Sequence, residues 1–276
     1  MIKHTTHRAL KFAQSGLAKI GIGVMRNEAL INLKEENWKL KEAAITESNA
    51  NRDLQFLLSL PNHQGCLLLK YLTKSKAEFR QDLFVLSEVD FKREGYFVEF
   101  GASNGYAGSN TYLLEKEFYW EGILSEPARI WHAELKRNRN VNIDTGCVWS
   151  QSGATISFNE VTGAALSTIN SFSSSDYNSG SREKGNKYDV ETISLSDLLS
   201  KYNAPAHIDY LSIDTEGSEF EILKAFDFKK YDFSCITVEH NHTPMRDEIH
   251  SLLTENGYTR KYVEVSQVDD WYVKCV

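Results

Sequence analysis

The sequence predicts an α/β fold: a mostly parallel sheet with helices on both faces, one antiparallel strand near the C-terminus, and an α-helical segment in front. Three observations carry this expectation. From residue 95 onward short apolar runs alternate with amphipathic stretches, and strands joined by helical crossovers pair in parallel and are covered on both sides. The last two apolar runs, 262–265 and 271–275, have no helical stretch between them, so a hairpin closes the sheet and turns one strand against the rest. Residues before about 80 have a different texture, rich in Lys, Glu, Ala, Leu and Asn, with Pro61 as their one proline.

In order, strands are expected at 96–100, 122–125, 141–149, 154–159, 208–213 and 234–239. Helices are expected at 109–117, 129–138, 218–226 and 246–256, the last stopped by Gly257. The stretch 171–187 is rich in Ser, Gly and Asn and reads as a solvated loop or a lid outside the core. In the leading segment Leu30, Leu33, Leu40, Ala44, Leu54 and Leu58 fit a three-four helical repeat. Asn37, Glu47 and Asn51 interrupt the same seam, so packing on the main domain or on a second subunit ranks ahead of a coiled coil. Two parts follow: residues 1–74, a helical extension for association or targeting and a route to a homo-oligomer, and residues 75–276, the functional domain.

Composition narrows the functional classes. A formal net charge of −7 and a pI near 5.7 argue against nucleic acid as a partner. No apolar run approaches the roughly 18–20 residues that span a bilayer. The first residues are basic and mildly apolar but lack the uninterrupted apolar core of a signal peptide, leaving weak peripheral membrane association as their alternative use. Cys66, Cys147, Cys235 and Cys275 are widely separated and form no CxxC pair. That disfavours a zinc ribbon or a disulfide framework and points to a reducing, cytoplasmic setting.

The chemistry-bearing residues gather at the ends of expected strands. Phe97-Val98-Glu99-Phe100-Gly101-Ala102-Ser103-Asn104-Gly105 follows the first strand; glycines so placed let the backbone turn beneath a ligand and approach it closely. Ser103 stands where a dinucleotide fingerprint needs its middle glycine, and Glu99, two residues before the first glycine, suits a positively charged ligand. The second strand ends in Ser125-Glu126-Pro127, where a carboxylate can accept both hydroxyls of a ribose. Asp214-Thr215-Glu216-Gly217-Ser218-Glu219 follows the strand that begins at Ile208. Glu219 reads first as a helix-start acid favoured by the helix dipole. Asp214 and Glu216 cost solvation unless they are used. Val238-Glu239-His240-Asn241-His242 ends the next strand, where His240 can take a proton from a hydroxyl near neutral pH. A divalent cation on Asp214, Glu239 and His240 is a second use of the same side chains, ranked behind proton abstraction.

These motifs resemble the FkbM family of S-adenosylmethionine-dependent methyltransferases. FVEFGASNG resembles the cofactor loop, SEP the second-strand motif, IDTEGSEFEIL the most distinctive motif, and ITVEHN the strand that follows. Gln81-Asp82-Leu83-Phe84 also resembles the segment before the glycine loop. The resemblance covers about residues 75–276 and implies a Rossmann-like class I methyltransferase sheet. It implies that Gly101, Ala102, Asn104 and Gly105 pass under the methionine part of S-adenosyl-L-methionine, with Glu99 holding its amino group. Glu126 would grip the ribose, Cys147 and Val148 would flank the adenine, and Asp214 and Glu216 would sit at the transfer site. The implied reaction is O-methylation, expected on a hydroxyl of a sugar, glycan or glycoconjugate, with His240 first and Glu216 second as base. The alternatives are an O-methyltransferase of a small natural product and a catalytically silent binding module. Trp120, Trp131, Trp149 and Trp271 could give a sugar a stacking face, although buried core is the plainer reading of most.

Overall fold

The computed structural model describes residues 36, 38, 39, 47–161 and 166–275. The chain divides into two units, Met1–Leu54 and Gln55–Val276. In the first, the described residues are helical; Leu30, Leu33, Leu40, Ala44 and Asn37 lie outside the described residues. Among the described residues no helix is long and apolar enough to cross a membrane.

The second unit contains eleven described strands: β1 (Tyr96–Phe100), β2 (Glu121–Ser125), β3 (Asn142–Asp144), β4 (Cys147–Trp149), β5 (Thr155–Glu160), β6 (Thr168–Ile169), β7 (Asn186–Ser194), β8 (His207–Ile213), β9 (Asp232–Glu239), β10 (Tyr258–Lys261) and β11 (Asp269–Lys274). Seven of them form one sheet in the order β10-β11-β9-β8-β1-β2-β3. β3, β2, β1, β8 and β9 pair in parallel, whereas β11 is antiparallel to both β9 and β10. This is the expected mostly parallel sheet with one reversed strand. The central strands are apolar on both faces because helices cover both: Ile208, Tyr210, Leu211 and Ile213 of β8 are all buried. Chain order reverses on either side of β1, so a crevice opens beyond the carboxyl ends of β1 and β8, the place where open α/β sheets bind ligands.

The second unit starts at Gln55, ahead of the boundary at residue 75 that the change of texture suggests. The reason is packing. Phe56, Leu60 and Leu68 are buried in one cluster with Leu83, Phe84 and Trp271. The Phe84 ring stacks on Trp271 with centroids 4.9 Å apart, and Phe56 meets the same indole edge-on at 5.6 Å. This stretch of helix therefore helps bury the C-terminal hairpin.

A smaller sheet, ordered β4-β7-β5-β6, stands beside the strand ends. The apolar run 141–149, expected as one strand, breaks at Thr145-Gly146, so β3 closes the large sheet and β4 joins the small one. The break is held by Ser125 Oγ, which donates to the Gly146 carbonyl at 2.9 Å, and by Gly146 N, which donates to Asp144 Oδ1 at 2.8 Å. β7 and the helix Leu195–Lys201 behind it were not anticipated; Ser194 caps that helix by accepting from Asp197 N at 3.1 Å. The run 262–265 is not a strand. β10 lies earlier, and Tyr262 at φ 56° turns the chain out of the sheet. Stretch 171–187 is not all solvated: Arg182, on the helical turn Ser179–Arg182, is 1% exposed.

Gly101 joins the two central motifs. It has φ 72°, and a Cβ there would overlap the Asp214 carbonyl oxygen. Gly101→Ala is expected to lower stability by about 1–3 kcal/mol, from left-handed strain and displacement of the β8 end. Thermal unfolding measures this, and an unchanged melting temperature would show that the two strand ends are not locked together.

Candidate active site

Two connected spaces lie over the strand ends. The first is a mostly apolar cavity over the carboxyl ends of β1, β2 and β8. Its walls include Trp131, Cys147, Val148, Phe158 and Ile169, and Glu126 lies within them at the end of β2. Glu126 is anchored by backbone donors: Ser103 N to Oε2 and Ala128 N to Oε1, both at 2.7 Å. Burial pushes its carboxyl up to about 7 against those hydrogen bonds.

The glycine loop divides its residues between shaping the site and lining it. Gly101 lines both spaces, Ala102 lines the second, and Glu126, Cys147 and Val148 line the first. Glu99, Asn104 and Gly105 line neither. Glu99 accepts from Asn110 N at 2.8 Å, from Ser109 Oγ at 3.1 Å and from Thr111 Oγ1, with Arg139 Nη1 3.6 Å away. Its charge is spent on fixing the segment after the loop. Asn104 Oδ1 accepts from Tyr106 N and Ala107 N, both at 3.0 Å, and closes a turn. Gly105, at φ 71°, packs so close to the neighbouring helix His132–Asn138 that a Cβ would stand 2.6 Å from Leu135 Cδ1.

The second space is an acidic cleft that shares Gly101, Ser103 and Asp214 with the first. Asp214, Glu216 and Glu239 each bring a carboxylate oxygen to within 4.8 Å of the others. Burial, then the Glu216 carboxylate, holds Asp214 well above the usual carboxylate range. Burial, then Asp214, does the same to Glu239. Glu216 is pushed up to about 7 by burial, against the pull of the Arg182 guanidinium. Asp269 lines the same cleft, and burial pushes it up to about 7 while Gln81 Nε2 donates to its Oδ2 at 2.6 Å.

Glu216 is held rigidly. Its φ of 59° places it in the left-handed region, costly for a residue with a side chain. Its Oε2 accepts from Arg182 Nη2 at 2.7 Å and from Asn241 Nδ2 at 3.2 Å. Arg182 is fully used: Nη1 meets both Asp176 oxygens at 2.9 and 3.0 Å, and Nε donates to the Leu166 carbonyl at 2.8 Å. Glu219 accepts from Thr215 N, Thr215 Oγ1 and Gly217 N, at 2.9, 2.9 and 3.0 Å, as a helix-start acid should.

His240 does not join these carboxylates. Glu239 is the last residue of β9 and His240 the first beyond it, and only Glu239 lines the cleft. His240 Nδ1 accepts from His242 N at 3.0 Å, which puts the proton on Nε2, 3.8 Å from Asp270 Oδ1. Burial pulls the imidazole down to about 4. His240 lines neither space, and the groups that come together are Asp214, Glu216 and Glu239, with Glu216 where His240 was expected. Among the tryptophans, Trp120 and Trp271 are core, Trp149 packs edge-on to Phe172, and Trp131 walls the apolar cavity. Sequence reasoning missed Arg182, because a lone arginine in a polar loop has no local signature. It also missed Asn241, whose signal was its place directly after the Glu239-His240 pair.

Carboxyl groups with pKa values raised by folding favour the folded state when protonated. Their contribution is fully present below the ordinary carboxylate range and is lost as pH rises through about 7 for Glu126, Glu216 and Asp269. Burial of neutral His240 opposes this trend only below its ordinary pKa of 6.5. Ligand-free protein is therefore expected to melt at falling temperature from pH 6.5 to 8.5, and Glu216→Gln should flatten part of the slope. A melting temperature that is constant or rises across that window would contradict the burial of these groups.

Among curated proteins none matches the chain. A solved precorrin-6Y C5,15-methyltransferase from Geobacter metallireducens is similar at 10% identity and a TM-score of 0.34, over 65% of this chain and 71% of that one. A TehB-like SAM-dependent methyltransferase from Corynebacterium glutamicum is similar at 7% identity and a TM-score of 0.37, over 78% of this chain and all of that one. The methyltransferase FkbM domain matches residues 99–260. With more than half of its length in that match, the chain belongs to the FkbM family of S-adenosylmethionine-dependent methyltransferases.

Proposed function

We propose that this chain transfers a methyl group to a hydroxyl oxygen of a sugar or glycan. The observation that carries the reading is the carboxylate set Asp214, Glu216 and Glu239 in an open cleft continuous with an apolar cavity. The residues fit the cofactor of the family. Glu126 is a buried acceptor for ribose hydroxyls, with Trp131, Val148, Phe158 and Ile169 around it for a flat base. Next to it the cleft is acidic, which suits a ligand carrying a sulfonium and an ammonium. Asn110 adds a buried acceptor on the same wall: its Nδ2 donates to Ser212 Oγ at 2.9 Å, while its Oδ1 has no donor.

The cofactor supplies an electrophilic methyl on positively charged sulfur. What remains for the protein is to hold an acceptor oxygen behind that methyl, to keep water out, and to receive the hydroxyl proton as its oxygen becomes bonded to carbon. Glu216 suits the last task. Its Oε2 is fixed by Arg182 and Asn241, which leaves Oε1 for the proton, and a carboxyl pushed up to about 7 is matched to a base working near neutral pH. Asp214 and Glu239 are carboxyl groups that a cation stabilises in their charged form, which favours the cationic donor over its neutral product and aids exchange after each turnover. A divalent cation on Asp214, Glu216 and Glu239 would acidify the same hydroxyl; here the carboxylates are read as acting without one.

Incubation with methyl-labelled S-adenosylmethionine and a panel of mono- and oligosaccharides tests the reading. Label is expected on an acceptor oxygen, located by mass spectrometry. Glu216→Gln should lower turnover by about 10²- to 10⁴-fold, the usual worth of a general base, with cofactor affinity little changed. Glu126→Ala should weaken cofactor binding by roughly 10- to 100-fold, about 1.5–3 kcal/mol for charge-assisted hydrogen bonds. Transfer to nitrogen or carbon, or full activity in Glu216→Gln, would count against hydroxyl methylation by this route.

A further inference from the structure

We infer that Tyr177 is the stacking platform for the acceptor sugar, and that the subsite it builds selects a neutral, hydroxyl-rich ring over an anionic one. The inference rests on the proposed function and names the substrate class of the same cleft.

Tyr177 is 68% exposed, yet its phenol is tied down. The hydroxyl donates to Asn241 Oδ1 at 3.1 Å, and the same Asn241 amide donates to Glu216 Oε2 at 3.2 Å. The ring therefore lines the cleft at a fixed place, two links from the carboxylate read as the base. Its hydroxyl also feels that surface directly. Burial comes first and then the charges of Glu239, Glu216 and Asp176, and together they push the phenol up from its ordinary value. A large aromatic ring left in water beside buried carboxylates has no part in the core. It does have the geometry of a ligand platform, with an apolar face and a tethered polar edge.

The rest of the wall decides what stacks there. Asp214, Glu216, Glu239 and Asp269 line the cleft, and among the described residues no lysine, arginine or histidine does. These groups chiefly accept hydrogen bonds. A flat hydrocarbon acceptor would cover them without giving them a partner, at the cost of burying unsatisfied polar groups. A pyranose supplies what both parts need. Its C–H face lies on an aromatic ring, and its hydroxyls donate to the surrounding carboxylates. A uronic acid or phosphorylated sugar would add one more anion to a cluster whose carboxyl groups already disfavour one another's charge, and be disfavoured.

The test uses the full chain, S-adenosylmethionine, and a panel of neutral methyl glycosides set against methyl glucuronides. For whichever neutral glycoside is methylated, Tyr177→Leu should raise its KM by roughly tenfold or more, as expected for the loss of one stacked ring. Turnover at saturation and cofactor affinity should stay near wild type. Tyr177→Phe keeps the ring and is expected to keep most of the affinity, which separates stacking from the Asn241 hydrogen bond and guards against a folding defect in the leucine variant. A methylated neutral glycoside with unchanged KM in Tyr177→Leu overturns the platform and leaves hydroxyl methylation standing. Preference for the glucuronide overturns the charge selection. Transfer to a non-carbohydrate hydroxyl alone overturns the substrate class.

Discussion

The constraint on which the rest of the site depends is electrostatic. Asp214, Glu216 and Glu239 lie together at the ends of two adjacent strands, and Glu216 is the one in direct contact with an arginine, Arg182. Carboxylates brought this close in a low-dielectric setting repel one another and bind protons more tightly than in water. A folded chain tolerates such a cluster when it is held by structure around it, and here the scaffold supplies that hold. Glu219 ties the turn after β8 to its helix, Asn241 and Arg182 pin Glu216, and Gln81 meets Asp269 from the far end of the sequence.

The fold explains why the parts meet. β1 and β8 are neighbours across the point where chain order reverses, so the glycine loop and the turn after β8 share one crevice. Gly101 lets the two backbones touch. The small sheet then carries the loop that ends in Arg182 to the same place, with Asn159 Nδ2 donating to the Arg182 carbonyl at 3.0 Å. Arg182 is thus both a structural pin and the counter-charge of the cleft. That double role makes it a poor position for tolerance: removing one partner of a buried ion pair costs about 3–5 kcal/mol because the other charge is left unpaired.

Much of this was legible in the sequence, for physical reasons. Strands of five to eight residues that are apolar on both faces, such as β1, β8 and β9, announce a covered parallel sheet, and acids at their ends mark the crevice. What escaped reading depended on which way a side chain faces. Glu239 and His240 are adjacent in sequence, yet Glu239 lines the cleft while His240, just past the end of β9, lies toward Asp270. Glu99 lay in the expected motif, but the segment around Ser109 and Thr111 consumed its charge. β7 was hidden because NKYDVETIS alternates polar and apolar residues directly after a Ser- and Gly-rich stretch. Arg182 and Tyr177 lay within that stretch and became recognisable only once the small sheet placed them.

The central claim is that these buried carboxylates hold protons more tightly than in water and release them to a positive ligand. Calorimetric titration at pH 7 in buffers of differing ionisation enthalpy counts the protons released when S-adenosylmethionine binds. Glu216, pushed up to about 7, should release its proton beside the sulfonium and ammonium. The demethylated thioether product, lacking the sulfonium charge, should release fewer. Equal proton release for the two ligands, or proton uptake with S-adenosylmethionine, would contradict the account.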